Sequence, residues 1–285
     1  MLYTITSLHN PTMKNLVKLR QRRERDRQQV LLIDGARALA LALRNAFPVL
    51  TLYVADTTLT AHAALLQQAR EAGISQQTVS AAVFAKIGYG DHPDGILAVA
   101  AQPAATLQAL PQPATSALYI VTEGLEKPGN LGAILRSADA AGVTAVIVCD
   151  SQTDLWNPNV IRASQGAFCT VALAVATAEA TRRWLCQRQV QILAATPSAP
   201  TRYTAIDFCA PSALVLGAEH AGLSDVWHQD TPICIPMVGQ VDSLNVAQAA
   251  SIVLFEAVRQ RHQRHRDHDR IYASHAPQQV SGCNA

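Results

Sequence analysis

The sequence predicts an α/β protein: a mainly parallel sheet covered by helices in the C-terminal half, preceded by a smaller α/β unit. Two observations carry this. Short apolar runs bounded by turn residues alternate along the chain with helix-like segments, as strands joined by helical crossovers do. Residues 101–116 then hold three prolines and no charge, as an interdomain linker would. With 285 residues, 49% hydrophobic and 15% charged, the chain can build a core and is neither a disordered polyelectrolyte nor a coiled coil.

In order, the first half opens with a polar helix near 13–28 and a strand over 30–33. Asp34-Gly35 turns into a helix over 36–45, and a strand follows over 49–55. The alternation continues through 60–72 and 95–100. In the second half a strand over 117–121 leads to a helix over 131–141, stopped at Gly142, and a strand over 143–149. Further strands are expected over 191–195, 213–216 and 232–235, then a long helix over 246–261 with Val246, Ala249, Val253 and Ala257 on its core face. The expected units are 1–105, a linker at 106–116, 117–266, and a tail over 267–285 that lacks hydrophobic periodicity.

Several function classes drop out. No apolar run approaches the roughly 20 residues of a membrane helix, and the start lacks the basic and apolar regions of a signal peptide, so the protein is expected in the cytoplasm. Cysteines 149, 169, 186, 209, 234 and 283 form no Cys-x-x-Cys and read as buried free thiols rather than metal ligands or disulfides. There is no Gly-x-Ser-x-Gly, no His-Glu-x-x-His, and no Gly-x-Gly-x-x-Gly after a strand. His262, His265 and His268, spaced by three among arginines, read as a polar helix end rather than a metal site.

The net charge of +2 is unevenly spread, with 11 Lys/Arg against 7 Asp/Glu in residues 1–110 and 12 against 14 thereafter. Lys14, Lys18, Arg20, Arg22, Arg23, Arg25 and Arg27 are opposed only by Glu24 and Asp26. Such a cluster binds phosphates with release of condensed counterions; a solvated helix face is the plainer alternative.

Three polar clusters each follow a strand. In Pro128-Gly-Asn-Leu-Gly-Ala-Ile-Leu-Arg136, Asn130 can cap a helix, Gly132 permits close approach to its first turn, and Arg136 lies about one and a half turns in. An ion pair of Arg136 with Asp139 is the structural alternative. In Leu214-Val-Leu-Gly-Ala-Glu-His-Ala-Gly222, the glycine spacing is that of a phosphate loop, but Leu223-Ser224 replaces the Lys-Ser/Thr. Taken alone, Glu219 is an ordinary loop carboxylate. In the third cluster, Ile233 to Asn245, the residues Asp242, Ser243 and Asn245 crowd a helix entrance where capping explains one polar side chain but not three.

In this order and at these junctions, the three clusters resemble the signature motifs of the SpoU family of RNA ribose 2′-O-methyltransferases, over about 117–261. Asn10-Pro-Thr-Met-Lys14, the basic residues after it and Leu31-Leu-Ile-Asp-Gly35 resemble the ribosomal-protein-like RNA-binding domain often joined to that catalytic domain, with Asp34 where glutamate is expected. The resemblance implies a deep trefoil knot, a rare exception to unknotted topology, and a homodimer binding S-adenosylmethionine in a bent form, mostly through backbone groups. It implies cofactor contacts at Gly217, Ile235 and Leu244, with Thr196 and Met237, and no metal. RNA would dock on Lys14, Lys18, Arg20, Arg22, Arg23 and Arg25. Arg136 matches the arginine that the family places at the reacting ribose, from the partner subunit. Because a guanidinium keeps its proton below about pH 12, Arg136 is expected to stabilise charge rather than act as a base. Asn130, Glu219, Ser243 and Asn245 match the remaining motif positions, with roles in site architecture and substrate positioning. Ribosomal RNA is the expected substrate. The alternatives are transfer RNA, a knotted enzyme that modifies a base, and a non-catalytic RNA-binding or ribosome-assembly protein.

Overall fold

The computed structural model describes residues 4–89, 93–112 and 116–274, with side chains through residue 264. The first half contains β1 (Thr4–Ile5), α1 (Pro11–Lys18), α2 (Arg22–Gln28), β2 (Val30–Asp34), α3 (Ala36–Arg44), β3 (Val49–Ala55), α4 (Ala63–Glu71), β4 (Ser75–Val79), α5 (Ala81–Ile87) and β5 (Ile96–Ala101). Its sheet runs β1-β4-β3-β5-β2, with β5 antiparallel to both neighbours and the other pairs parallel. The single helix expected over 13–28 is two. Asn10 starts α1 by accepting from the Thr12 N–H, and the chain breaks after Lys18 because the buried Arg25 takes the carbonyls of Leu19 and Arg20, each at 2.8 Å. Strand β4 has no apolar run to announce it, since only Thr78 and Val79 of Ser75–Val79 are buried.

The second half contains β6 (Leu118–Glu123), α6 (Pro128–Ala140), β7 (Ala145–Cys149), α7 (Pro158–Ala163), β8 (Ala172–Ala176), α8 (Ala178–Cys186), β9 (Gln191–Ala195), β10 (Thr201–Arg202), β11 (Ser212–Leu216), β12 (Thr231–Cys234) and α9 (Val246–Ser274). The sheet order is β10-β12-β9-β11-β6-β7-β8 and every pairing is parallel. Strands β6, β7 and β11 are buried along their whole length, which is why they read as unbroken apolar runs. After Gly142, the bonds Gly142 N–H to Asp139 O and Val143 N–H to Ala138 O close α6 in a Schellman turn. This all-parallel order, with β12 inserted between β9 and the edge strand β10, is consistent with the knotted α/β architecture. The loops leaving β9, β11 and β12 emerge at the carboxyl ends of adjacent strands, where open α/β sheets place ligands.

The two halves share a core. Leu31, Ile33 and Leu39 from the first join Leu131, Val160 and Ile161 from the second in one apolar cluster, and Phe47 meets Phe168 edge-to-face at 5.2 Å. Part of the expected linker is itself docked: Leu107 and Leu110 are buried against Tyr119 and Trp227, and Ala105 O accepts from the Val175 N–H at 3.0 Å. Residues 113–115 of that stretch lie outside the described residues.

Two expectations are corrected. Helix α9 runs on to Ser274, through the start of the expected tail, because no glycine or proline interrupts it; residues 275–285 lie outside the described residues. Of the described cysteines only Cys149 is buried, where burial pushes its thiol up to about 12; Cys169, Cys209 and Cys234 are half-buried and Cys186 is exposed at the end of α8. None of these five is in a disulfide, and Cys283 lies outside the described residues.

Candidate active site

A cavity of about 190 Å³ opens at the carboxyl ends of β9, β11 and β12. Thr196 follows β9, Gly217 follows β11, Ile235 and Met237 follow β12, and Leu244 precedes α9; all five line this cavity. Apolar wall comes from Leu216, Leu223 and Ile233, and Cys234 also lines it, a position with no sequence signal beyond its strand.

Each wall has a local cause. At Gly217 a Cβ would lie 2.3 Å from the Gly222 carbonyl oxygen, so only glycine lets the loop fold back on itself to form the Gly222 N–H to Ala218 O bond of 3.0 Å. The far side of this loop is tethered by Glu123, a buried carboxylate at the end of β6, which accepts from the Ser224 N–H at 2.9 Å and from the Ser224 hydroxyl at 2.7 Å. Glu123 escaped the sequence reading because its partner is 101 residues away.

Residues 236–244 make no hydrogen bond, backbone or side chain, among the described residues. Backbone groups at a cavity wall need partners once solvent is displaced, so this segment can receive a ligand through main-chain groups, while the leucine and isoleucine walls suit a planar apolar ring. The residues present therefore fit S-adenosylmethionine, whose adenine, ribose and amino-acid moieties need both kinds of contact.

At the mouth, the motif side chains converge on Glu219. Its Oε1 accepts from Asn130 Nδ2 at 2.8 Å and Asn245 Nδ2 at 2.9 Å, and its Oε2 pairs with Lys127 Nζ at 2.7 Å. Asn245 Nδ2 also reaches Asn130 Oδ1 at 3.1 Å, while Asn245 Oδ1 caps α9 through the Ala247 N–H at 3.0 Å. These donors hold the Glu219 carboxyl below the usual carboxylate range, the Lys127 hydrogen bond first among the causes, and Glu219 in turn raises the Lys127 ammonium. Asn130 does not cap α6 as expected: the helix begins at Pro128, so Asn130 lies within its first turn and its amide is spent on Glu219. Asp242 and Ser243 are exposed on the cavity wall without partners among the described residues.

Arg136 is not brought to this cavity. It sits on the exposed face of α6, just over two turns from the helix start, with no ion pair or side-chain hydrogen bond among the described residues. The alternative pairing with Asp139 does not form among the described residues; Asp139 accepts from the Thr170 hydroxyl instead. Gly132 meets protein rather than ligand: a Cβ there would lie 2.4 Å from the Ala163 Cβ and 2.8 Å from the Val160 carbonyl oxygen, so glycine lets α7 pack onto α6.

The basic cluster divides. Lys14, Lys18 and Arg23 are exposed and unpaired among the described residues. Arg20 is exposed but bonded to the carbonyls of Lys86 and Gly88, over the Tyr89 ring; Arg22 pairs with Asp26, and Arg27 with Glu24. Arg25 is corrected: it is 1% exposed, bonded to Leu19 O, Arg20 O and the Asp154 carboxylate, and thus joins the two halves instead of meeting phosphate. Periodicity did not separate it from its neighbours because its partner lies 129 residues on.

Comparison with known proteins agrees with this geometry. The profile of the SpoU rRNA Methylase family matches residues 117–255, and that of the MRM3-like substrate binding domain matches residues 10–98. The chain is 32% identical over 253 residues to the 23S rRNA (uridine(2479)-2′-O)-methyltransferase of Streptomyces viridochromogenes, covering 85% of this chain and 87% of that one. A solved RNA 2′-O ribose methyltransferase superposes with a TM-score of 0.79 at 40% identity, over 91% of this chain and 99% of that one. An AdoMet-bound rRNA methyltransferase from Sinorhizobium meliloti superposes at 0.81 with 30% identity, over 90% and 97%. With family profiles matching both halves and a relative this similar over most of both chains, the chain belongs to the SpoU rRNA methylase family, its methylase domain preceded by an MRM3-like substrate-binding domain.

Proposed function

We propose that the protein transfers a methyl group from S-adenosylmethionine to a ribose 2′-hydroxyl of ribosomal RNA. The observation that carries this is the convergence on one cavity of main-chain groups without partners over 236–244 and the Asn130–Glu219–Asn245 network at its mouth. Bound there, the cofactor supplies a methyl carbon already activated by its sulfonium. Thr196, Gly217, Ile235, Met237 and Leu244 would hold it, so the chain's task is alignment of the 2′-oxygen and removal of its proton. Asp242 and Ser243, exposed on the wall, are the groups available to meet that hydroxyl. Arg136 would stabilise the developing alkoxide and an adjacent phosphate in a partner subunit's site, a placement supported by its absence from the cavity of its own chain.

A homodimer is part of this reading. Val238 and Val241 are exposed beside the cavity, with Ile252 and Phe255 on the outer face of α9, apolar groups that a second copy would cover. Residues 1–105 would dock RNA through Lys14, Lys18 and Arg23, residues 106–116 would connect them, and 117–266 would carry catalysis. Ribosomal RNA is favoured over transfer RNA because the relatives from Streptomyces viridochromogenes, Ralstonia nicotianae and Bacillus subtilis are 23S rRNA methyltransferases.

The test is transfer from labelled S-adenosylmethionine to ribosomal and transfer RNA fractions, with nucleoside analysis, wild type beside Arg136→Ala. A 2′-O-methylnucleoside formed in ribosomal RNA and lost in the variant is expected. Cofactor binding without transfer to either fraction would point to the non-catalytic RNA-binding reading.

A further inference from the structure

Lys127 stands outside the motif positions and yet closes the network at the cavity mouth. It is the residue just before α6, and its side chain caps no backbone N–H there. A cation at a helix N-terminus is placed against the helix dipole, so the helix does not explain it. Its ammonium reaches across to the loop after β11 and meets Glu219 Oε2 at 2.7 Å, 92 residues away. Stability does not explain it either, because an exposed ion pair contributes little and Lys127 is two-thirds exposed. What the pair does change is geometry. With Oε2 held by Lys127, Oε1 is aimed at both amides, and the start of α6, the β11 loop and the start of α9 are tied together.

We propose that Lys127 is a positioning residue: it holds the Glu219 carboxylate in the orientation that fixes Asn130 and Asn245 at the cavity mouth before the substrates arrive. The inference rests on the methyltransferase reading. Without Lys127, Glu219 can turn away or take up a proton, and a protonated Glu219 offers a donor where two amide donors already point. The charged groups facing Glu219 are Lys127 from just before α6, His220 from its own loop and Asp242 on the same cavity, with Glu126 beside Lys127. Of these, Lys127 and His220 favour the carboxylate.

The experiment compares full-length wild type, Lys127→Gln and Lys127→Arg in methyl transfer to ribosomal RNA and in calorimetric titration with S-adenosylmethionine, each from about pH 3 to 8, a range that spans the carboxylate titration. Lys127→Gln is expected to lower kcat about tenfold with KM for RNA little changed. It is also expected to move the acid limb of the rate profile, and the acid loss of cofactor affinity, to higher pH. Lys127→Arg should restore most of the rate, and melting temperatures should agree because the side chain is exposed. Superimposable profiles for Lys127→Gln and wild type would overturn the proposal. So would a rise in KM for RNA at unchanged kcat, which would make Lys127 a phosphate contact. A wild type that transfers no methyl group counts against the methyltransferase reading instead, and the calorimetric pH profile then decides on Lys127 alone.

Discussion

Asp34 ends β2 facing Arg162 and Asp94, with one carboxylate oxygen buried and unpartnered among the described residues. Burial, outweighing Arg162, raises its pKa from 3.8 to about 6. The native state thus binds this proton more tightly than the unfolded chain, so the associated stability is full below about pH 4 and lost as pH rises through 6. Asp34→Asn should therefore stabilise the protein at pH 7 by about 1–2 kcal/mol, after allowance for partial solvent screening, and flatten the trend between pH 4 and 6. Urea unfolding across that range checks it; an unchanged trend would remove Asp34 as its source. Gly132→Ala acts oppositely: its Cβ falls on the Ala163 Cβ and the Val160 carbonyl, and overpacking of this kind costs about 1–3 kcal/mol. The same unfolding measurement reads it. At this scale residue types marked Asn130 and Asn245 at helix entrances, while Glu219 alone read as an ordinary loop carboxylate and gained a role only from the resemblance of the three clusters to the family motifs. Partners across the chain were not marked, because Lys127–Glu219 and Glu123–Ser224 join positions about a hundred residues apart.

Among the elements, α2 shows best how one helix serves two ends. Its arginines divide between solvent and interior, and only Arg25 is buried, tying the C-terminal end of α1 to Asp154 in the other half. Arg25→Met should destabilise the chain by about 3–5 kcal/mol by leaving Asp154 unpaired in a nearly dry site, and Asp154→Leu in the same chain should recover most of it. Denaturant unfolding of the two variants decides this; a loss below about 1 kcal/mol would make the pair equivalent to a surface ion pair. Neutralising Lys14, Lys18 and Arg23 together should leave folding intact while making the salt dependence of RNA binding shallower, by about 0.7–0.9 in slope for every phosphate these cations neutralise. An unchanged salt slope would place the RNA elsewhere. Alternation of apolar runs located most strands of the second half, where both sheet faces are covered. It missed β4, whose residues are mostly polar, the two-residue edge strands β1 and β10, and β8, an alanine-rich edge strand buried over only part of its length.

For the whole molecule, the separation of Arg136 from the cavity of its own chain yields the sharpest test. If Arg136 serves the partner's site, mixing Arg136→Ala with Asn245→Ala subunits rebuilds one intact site per heterodimer. Two nearly inactive preparations should then recover about a quarter of wild-type activity once subunits exchange randomly. No recovery, with exchange verified, would place Arg136 in its own chain's site. Both halves should unfold together in this protein, given the apolar cluster running from Leu31 to Ile161.

By itself the sequence determined the fold class, the order of the three polar clusters and the basic character of the first half, because these are written in local pattern: apolar periodicity, glycines at junctions and polar residues at helix entrances; the cofactor-wall candidates came from the resemblance of those clusters to the family motifs. Only the tertiary structure decided which arginine is buried, that α6 and α9 are joined through Glu219 and Lys127, and that Arg136 stands apart from its own cavity. Those facts depend on which distant segments the parallel sheet brings side by side, and a pairing across a hundred residues leaves no trace in the spacing of either partner.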